Sequence, residues 1–420
     1  MSSHAADGIR IRPITEAEVG RWGRAVSRGF HRAGVPDAEE LRRMRHFPGR
    51  ALAAFDGEAI VGTLRSMPYE LTLPGGALLP VSAVTGVTVA QTHRRRGLLT
   101  RMMAEELAGA RDRGEAVAVL IAAEYGIYGR YGFGPSTRYE GWTVDLLRAG
   151  GLRADLPAGE GREELVSMAE LRELGPELHE RWRRTRPGAI VRDEVFWKTA
   201  TGELEVPGLT WQEPFAVVHR DAGGTVTGLL VYRIEEKWER ATADGVLTVA
   251  DFLALDLAAE TALWRYACSV DWVRTVVAAN VGPDSPLPLL LTDPRAASRH
   301  EGEFDYTWLR VLDVPAAFAA RAYPSAVAAE LVLEVADAQG FAAGRWLLRT
   351  CADGTGSAAP STAEPDLRLD ASALGSLYLG AEKAARLHAA GRIVELRPGA
   401  AFTLDLMLAT PLKAWNADTF

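Results

Sequence analysis

The chain has 420 residues, which is too long for one ordinary hydrophobic core and predicts two or three domains. Hydrophobic residues make up 48% of the chain and charged residues 24%, the balance of a globular protein rather than a disordered one. Acidic residues outnumber basic ones by 55 to 47, which argues against a nucleic-acid partner and favours a cationic substrate.

The sequence also predicts the cellular location of the protein. No apolar run approaches the roughly 20 residues that span a bilayer, and residues 1 to 10 contain no apolar stretch of the kind a secretory signal needs. We therefore expect a cytoplasmic protein without a membrane partner. Cys268 and Cys351 are too few for a disulfide framework and lack the spacing of a zinc site, so no metal is expected.

Strand signals dominate the first part of the chain. Ala51 to Phe55 and Ala59 to Arg65 are predicted strands, joined by the turn Asp56-Gly57 as a β-hairpin. After a second turn at Pro74-Gly75-Gly76, the pattern predicts a long strand from Leu78 to Val89 in which alternate residues share one face.

A helix follows this long strand. From Leu98, apolar residues recur at helical spacing until Gly114, a residue type that often ends helices. The apolar run Ala116 to Ala123 is then predicted to be a buried strand. The resulting β-α-β unit implies a right-handed crossover and a mixed sheet, so we assign the α/β class.

The middle of the chain continues the α/β pattern after a Gly/Pro-rich linker at Arg148 to Gly161. A helix is predicted over Glu164 to Arg184, with a break at Gly175-Pro176. The other predicted elements here are the strands Phe215 to His219, Thr225 to Ile234 and Val276 to Ala279, and the helix Ala262 to Val270.

The chain changes character again after Leu289 to Pro294. Gly354 to Pro365 is rich in Gly, Ser, Ala and Pro and is predicted to be a loop. The elements predicted around it are the helices Val314 to Tyr323, Leu374 to Leu379 and Ala381 to Ala390, and the strands Glu330 to Val335 and Trp346 to Thr350.

The strongest chemical signal lies between the long strand and the helix, at Val87 to Leu99. The first amides of a helix are unpaired and attract anions, Gly97 lets the backbone approach closely, and three consecutive arginines offer donors to phosphate oxygens. This combination indicates a pyrophosphate site, whereas an arginine run alone would indicate only a solvated face.

This segment resembles the acceptor-loop motif of the GNAT acetyltransferase superfamily, in which Arg94 and Gly97 match and Leu99 replaces a small residue. The resemblance implies acetyl-coenzyme A as co-substrate, with the amides of Val87 and Val89 holding its pantetheine arm and polarising the thioester. The candidate cofactor-binding residues are Val87, Thr88, Val89, Arg94, Arg95, Arg96, Gly97, Leu98 and Leu99.

A second motif, Tyr128 to Phe133, resembles the superfamily's tyrosine turn, although Ile127 stands where an aromatic residue usually precedes it. The resemblance gives Tyr128 the role of general acid. Aminolysis of a thioester expels a thiolate with a parent pKa of about 8.5, which a phenol of pKa about 10 can protonate at modest cost. The alternative is that Tyr128 only packs against the cofactor.

Five segments extend the resemblance over nearly the whole chain, and together they resemble the enhanced intracellular survival (Eis) family of GNAT N-acetyltransferases: Thr92 to Leu99, Gly126 to Arg130, Leu290 to Arg295, Trp308 to Arg310 and Leu374 to Ala381. The resemblance implies a catalytic GNAT domain (1–155), a degenerate second GNAT-like domain (156–300) and a sterol-carrier-protein-like domain (301–420). It also implies a homo-hexamer.

The family resemblance further implies that the C-terminal carboxylate, here that of Phe420, enters the active site as general base. Phe30 matches an aromatic wall of the acceptor pocket. The acidic residues of the mycobacterial pocket are replaced by His31-Arg32 and Thr419, which weakens the case for a polycationic drug.

Three functions remain open at this point. The leading hypothesis is N-acetylation of small polyamines, aminoglycosides included. The alternatives are acetylation of protein lysines or N-terminal amines, and a non-catalytic protein that binds coenzyme A or a lipid. The joint presence of Arg94, Gly97 and Tyr128 argues against the last, since no fold requirement links them.

Overall fold

The computed structural model describes residues 8–32, 49–156, 159–205 and 210–420. These residues form three large β-sheets. The first sheet contains, in spatial order, the strands Arg10–Pro13, Ala51–Asp56, Ala59–Thr72, Leu78–Val89, Val117–Ile121, Thr307–Val311 and Gly134–Pro135.

The first sheet confirms the predicted hairpins and the β-α-β unit. Strands Ala51–Asp56, Ala59–Thr72 and Leu78–Val89 pair antiparallel. The next strand, Val117–Ile121, runs parallel to Leu78–Val89 and is reached through the helix Leu98–Asp112, which we call the loop helix. Its apolar side packs on the sheet as predicted.

The second sheet contains, in spatial order, the strands Ala297–Arg299, Trp142–Asp145, Val273–Ala278, Gly245–Ala254, Val226–Glu235, Phe215–Arg220 and Arg162–Val166. Gly245–Ala254 was not predicted, because its alternation of apolar and polar residues is broken where Ala250 bulges out of register with Val226–Glu235.

The helix predicted over Glu164 to Arg184 is wrong at its start. Arg162–Val166 is an edge strand, and the helix Met168–Arg183 begins only after Ser167, whose side chain and that of Glu170 form a capping box.

The predicted break at Gly175-Pro176 is also wrong. Pro176 lies on the exposed side of the helix, where water can satisfy the carbonyl it leaves unpaired. Gly175 is buried against Trp197, and an added Cβ would lie 2.3 Å from that ring. The glycine therefore provides close packing rather than a break.

The third sheet contains, in spatial order, the strands Gly356–Pro360, Gly344–Thr350, Ala329–Ala336, Leu367–Asp370 and Ile393–Glu395. The prediction of a loop over residues 354 to 365 is wrong for Gly356–Pro360, which forms an edge strand on Gly344–Thr350. Small residues with low β propensity hid it, and hydrogen bonds to the neighbouring strand overcome that propensity.

The α-helices of the described residues complete the three layers. They are Val19–Gly29, Leu98–Asp112, Tyr125–Tyr128, Leu146–Ala149, Met168–Arg183, Glu194–Ala200, Leu257–Ser269, Leu287–Leu290, Val314–Ala320, Ala371–Tyr378, Ala384–Ala389 and Ala400–Met407. In the part of the chain that the structure describes, none is long and apolar enough to span a membrane.

Each of the first two sheets includes a strand from a distant part of the sequence. Trp142–Asp145 pairs within the second sheet, and Thr307–Val311 inserts into the first beside Val117–Ile121. One continuous core joins a face of the first sheet, including Met67 and Val81, to the third sheet and its helices. The C-terminal part of the chain thus covers one face of the first sheet.

Gly175→Ala tests the packing explanation. Alanine is the better helix former, but its Cβ collides with Trp197, so we expect a loss of about 1–3 kcal/mol of stability. In the control Gly109→Ala, the Cβ comes no closer than 3.0 Å to any atom and meets only the far end of the Arg113 side chain, so we expect a gain of roughly 0.5–1 kcal/mol. Urea unfolding measures both; a gain for Gly175→Ala would refute the close contact.

Candidate active site

The site begins where the strand Leu78–Val89 leaves its parallel neighbour. Pairing with Val117–Ile121 covers only Val81 to Val84. The other edge stays paired with Ala59–Thr72, through a register shift and a positive φ of 62° at Gly86. Among the described strands, none pairs with the remaining edge, Thr85 to Val89, which we call the splayed edge. Because amides alternate in direction along a strand, half of those on the splayed edge point away from the paired neighbour, and Val87 and Val89 are the predicted donors among them.

The acceptor loop joins the splayed edge to the loop helix. It passes through a turn at Gln91–His93 and two left-handed residues, Arg95 at φ 64° and Gly97 at φ 74°. Gly97 is the N-cap of the loop helix, and an added Cβ there would meet no atom within 4 Å. Leu98 is buried and fixes the first turn, so the first amides face an open cradle that fits a pyrophosphate.

All three arginines of the loop, Arg94, Arg95 and Arg96, are exposed. Arg94 and Arg95 make no hydrogen bond or ion pair with the described residues. The preceding His93 is held by the Asp56 carboxylate, with 3.1 Å between Nε2 and Oδ2. The loop thus presents cations close to the helix N-terminus.

Tyr128 ends the short helix Tyr125–Tyr128 and is 8% exposed. Its ring meets that of Phe133 edge-on, with 6.3 Å between centroids. Burial, reinforced by Tyr131 and Glu124, raises the pKa of Tyr128 to about 12. The phenol therefore stays protonated and can donate a hydrogen bond.

The other tyrosines of this turn have different surroundings. The Tyr131 hydroxyl lies 3.1 Å from the Thr100 hydroxyl on the loop helix. Tyr125 is 60% exposed and packs its ring on Trp308. Tyr131 is also buried, so Tyr128 is distinguished by combining burial with a hydroxyl that has no hydrogen-bond partner among the described residues.

A buried arginine, Arg310, packs beneath the Tyr128 turn, a role that the sequence analysis did not assign to it although Trp308 to Arg310 carried part of the resemblance. Gly132, at φ 79°, leaves no room for a side chain, because a Cβ would lie 2.7 Å from the Arg310 guanidinium carbon. Arg310 is fully buried and donates to Asp337, with 2.6 Å between Nη2 and Oδ2. Asp337 follows a strand of the third sheet, so that region helps to hold the turn.

Phe420 lies at the start of the splayed edge. Its terminal oxygen accepts a hydrogen bond of 3.0 Å from the Thr85 hydroxyl. Its ring is half-buried and meets the Tyr69 ring edge-on at 6.1 Å between centroids. The chain's last carboxylate is thus located where the strand leaves its neighbour.

Phe30 caps the helix Val19–Gly29 and is 42% exposed. The end of this helix touches the splayed edge closely, since a Cβ on Gly29 would lie 2.4 Å from the Thr88 side chain. The Arg32 guanidinium lies 5.4 Å from the Phe30 ring centroid. The described part of the chain thus brings a cation to this aromatic ring.

Trp22 on the same helix was not singled out from the sequence. Its indole nitrogen donates to the Leu52 carbonyl at 2.9 Å, and its ring would lie 3.3 Å from a Cβ on Gly86. The helix therefore forms an aromatic wall beside the splayed edge. A helical apolar pattern from Val19 could have revealed it.

Comparison with known proteins agrees with this geometry. Two acetyltransferase (GNAT) domain profiles match residues 10–136 and 188–311, and a sterol carrier protein domain profile matches residues 314–417. The first sheet, its acceptor loop and the splayed edge are therefore those of a GNAT acetyltransferase.

Relatives that match most or all of the chain identify its family within the GNAT acetyltransferases. The chain is 46% identical to an uncharacterized N-acetyltransferase of Streptomyces avermitilis, over 99% of both chains. It is 37% identical to the N-acetyltransferase Eis of Mycobacterium tuberculosis, over 85% of this chain and 86% of that one. The crystal structure of Eis1 from Mycobacterium abscessus superimposes with a TM-score of 0.85 at 31% identity, covering 98% of this chain and 100% of the other.

The chain belongs to the Eis family of GNAT N-acetyltransferases. It is an acyl-coenzyme A-dependent enzyme, and the GNAT fold uses acetyl-coenzyme A as co-substrate. The predicted arrangement of two GNAT-like domains followed by a sterol-carrier-like domain is confirmed. We therefore set aside the non-catalytic alternative.

Arg94→Ala tests whether the arginines of the acceptor loop bind the pyrophosphate of the co-substrate. Removal of one phosphate donor should raise the KM for acetyl-coenzyme A about tenfold, the equivalent of roughly 1.4 kcal/mol, with kcat nearly unchanged. Arg111→Ala removes an equally exposed cation from the far end of the loop helix and should leave KM unchanged. An unchanged KM in Arg94→Ala would show that this residue does not bind the co-substrate.

Proposed function

We propose that this enzyme acetylates amines of small polyamine molecules, aminoglycosides among them, by direct transfer from acetyl-coenzyme A. Tyr128 is the general acid and the carboxylate of Phe420 is the general base. The observation that carries this proposal is the hydrogen bond from Thr85 to the Phe420 carboxylate, because it locates a proton acceptor at the splayed edge.

The remaining residues bind and orient the co-substrate, which supplies the activated acetyl group. The first amides of the loop helix, with Arg94 and its two neighbours, bind the pyrophosphate. The amides of Val87 and Val89 bind the pantetheine arm and donate to the thioester carbonyl oxygen as negative charge develops there. A donor of this kind typically lowers a barrier by about 3 kcal/mol.

The base has to accept a proton while the amine attacks. A terminal carboxylate has a parent pKa of about 3.5, so it is a weak base for an ammonium in water. Its assigned task is to take the proton from a neutral amine as the carbon–nitrogen bond forms, directly or through one water.

The acid acts as the carbon–sulfur bond breaks. A pKa of about 12 at Tyr128 makes full proton transfer to a thiolate of parent pKa about 8.5 unfavourable by about 5 kcal/mol. The phenol therefore first stabilises the departing sulfur by donating a hydrogen bond. The proton follows once the thiolate has formed, because the low hydration that raises the pKa of the phenol also raises the proton affinity of a thiolate beside it.

The acceptor class rests on a negative net charge of 8, on the exposed Phe30 ring beside the splayed edge, and on likeness to Eis proteins. One observation favours a second candidate, an amine on a protein. Arg32 lies by the Phe30 ring, where it would repel a polycation but tolerate a single amine.

Release of coenzyme A thiol from acetyl-coenzyme A distinguishes these acceptors. We expect turnover with aminoglycosides or simple polyamines, and little with lysine-containing peptides. Turnover with peptides alone would favour the second candidate. The proposal also includes a cytoplasmic homo-hexamer, for which light scattering should give six times the chain mass of 45.4 kDa.

Tyr128→Phe should lower kcat by roughly 100-fold and leave the KM for acetyl-coenzyme A nearly unchanged, because only proton donation is lost. Since the raised pKa keeps the proton on Tyr128 until the pH rises towards 12, wild-type kcat should show no Tyr128-dependent fall below about pH 10. Tyr131→Phe is the matched control. Wild-type kcat in Tyr128→Phe would exclude the acid role.

Displacement of the terminal carboxylate tests the base. Deletion of Phe420, or one glycine added after it, moves the carboxylate by about 3.6 Å and should lower kcat by roughly 100-fold. Phe420→Leu keeps the carboxylate and should retain most of the activity. Undiminished kcat after both the deletion and the addition would exclude the carboxylate.

A further inference from the structure

The last six residues, Trp415 to Phe420, which we call the terminal segment, are anchored by a buried ionic cluster. The Arg192 Nε lies 3.0 and 3.1 Å from the two carboxylate oxygens of Asp418. Its Nη1 and Nη2 lie 2.6 and 3.0 Å from the oxygens of Asp251. The Nη2 atom also lies 2.9 Å from Asp418 Oδ1, so one guanidinium holds Asp418 through three contacts and Asp251 through two.

The ionic cluster is largely buried. The side chains of Arg192 and Asp418 are 2% and 6% exposed, and that of Asp251 is 16% exposed. The guanidinium carbon lies 4.5 Å from the ring centroid of Phe196. His179 approaches Asp418 to 3.9 Å but is neutral, because burial lowers its pKa to about 2. Arg192 therefore supplies the positive charge that contacts the Asp418 carboxylate.

Asn416 and Trp415 add hydrogen bonds between neutral groups. Asn416 is fully buried and bonds the Asp418 carbonyl at 2.8 Å and the Thr307 hydroxyl at 3.2 Å. Trp415 donates its indole N–H to Asn280 at 2.8 Å. These contacts hold the start of the terminal segment. The side chain of Asp418, which is the last charged side chain of the segment, is held by Arg192.

Arg192 belongs to the second GNAT-like region and lies where that region touches the first sheet. The preceding residues Ile190 and Val191 pair with Leu71 and Glu70 of the strand Ala59–Thr72. Asp251 comes from the second sheet, on the strand Gly245–Ala254. The cluster therefore joins the first sheet, the second sheet and the end of the chain.

We infer that Arg192 is a positioning residue for the transfer reaction: by clamping Asp418, it holds the Phe420 carboxylate at the splayed edge. Two residues of extended chain span at most about 7 Å, so fixing Asp418 restricts the carboxylate to that radius. The second region, in which the sequence shows no acceptor loop, thus contributes to catalysis through this clamp. The inference rests on the proposed base role of Phe420.

The test compares Arg192→Ala with Arg192→Lys and with the control Arg183→Ala. Arg183 is an equally buried arginine that pairs with Glu70 and Glu180 and not with the terminal segment. Steady-state kinetics give kcat and the KM for acetyl-coenzyme A. Carboxypeptidase A, which removes aromatic C-terminal residues, reports on release of Phe420 from the native protein.

We expect Arg192→Ala to lower kcat at least tenfold, to leave the KM for acetyl-coenzyme A within twofold, and to speed the release of phenylalanine. Arg192→Lys should restore part of kcat, because an ammonium can hold one carboxylate but lacks the planar fork. Arg183→Ala should keep both kcat and protection. If Arg192→Ala does not fold, Asp418→Asn removes the same ion pair with little change of shape.

Two results would overturn the inference and separate it from the base role. Unchanged kcat and protection in Arg192→Ala, together with an inactive Phe420 deletion, would remove the clamp and leave the base role intact. Rapid release of phenylalanine with unchanged kcat, together with an active deletion, would remove both. A double variant of Arg192→Ala and Asp418→Asn that is no worse than either single variant supports action through one contact.

Discussion

The splayed edge is the feature on which the rest of the site depends. The strand Leu78–Val89 keeps its antiparallel partner throughout but leaves its parallel one after Val84. Unpaired amides inside a protein are costly unless something else bonds to them. In the mechanism that we propose, this edge is satisfied by an extended ligand rich in amides and carbonyls, which is the chemistry of a pantetheine arm. The aromatic wall, the acceptor loop and the Phe420 carboxylate are all arranged around it.

Regions far apart in sequence supply the surroundings of this edge. The strand Thr307–Val311 lies beside Val117–Ile121, and Arg310 on it supports the Tyr128 turn while pairing with Asp337. The terminal segment enters from the opposite end of the chain and is fixed by Arg192. Residues from all three regions thus surround the splayed edge.

Two buried arginines fix the positions of neighbouring groups in this molecule, whereas burial of Tyr128 changes its acid–base chemistry. Arg192 and Arg310 are removed from water, a state that is costly for a lone ion, and each is compensated by carboxylates at short distance. Such a pair fixes geometry because any displacement would leave a charge unpaired. At Tyr128 the same loss of water has no compensating charge, and the result is a phenol that keeps its proton.

The sequence by itself determined the local elements and the motifs, because these follow from residue period and turn chemistry. The hairpin at Asp56-Gly57, the loop helix and the buried strand after it were predicted correctly. Prediction from the sequence failed where contacts with other segments override the local preference. Gly356–Pro360 is a strand because it pairs with Gly344–Thr350, and Gly175 is a close-packing position because Trp197 lies against it. The tertiary structure alone decided which distant groups meet. The contacts of Phe420 with Thr85 and of Arg192 with Asp418 join residues hundreds of positions apart, and no periodicity along a chain encodes such a meeting.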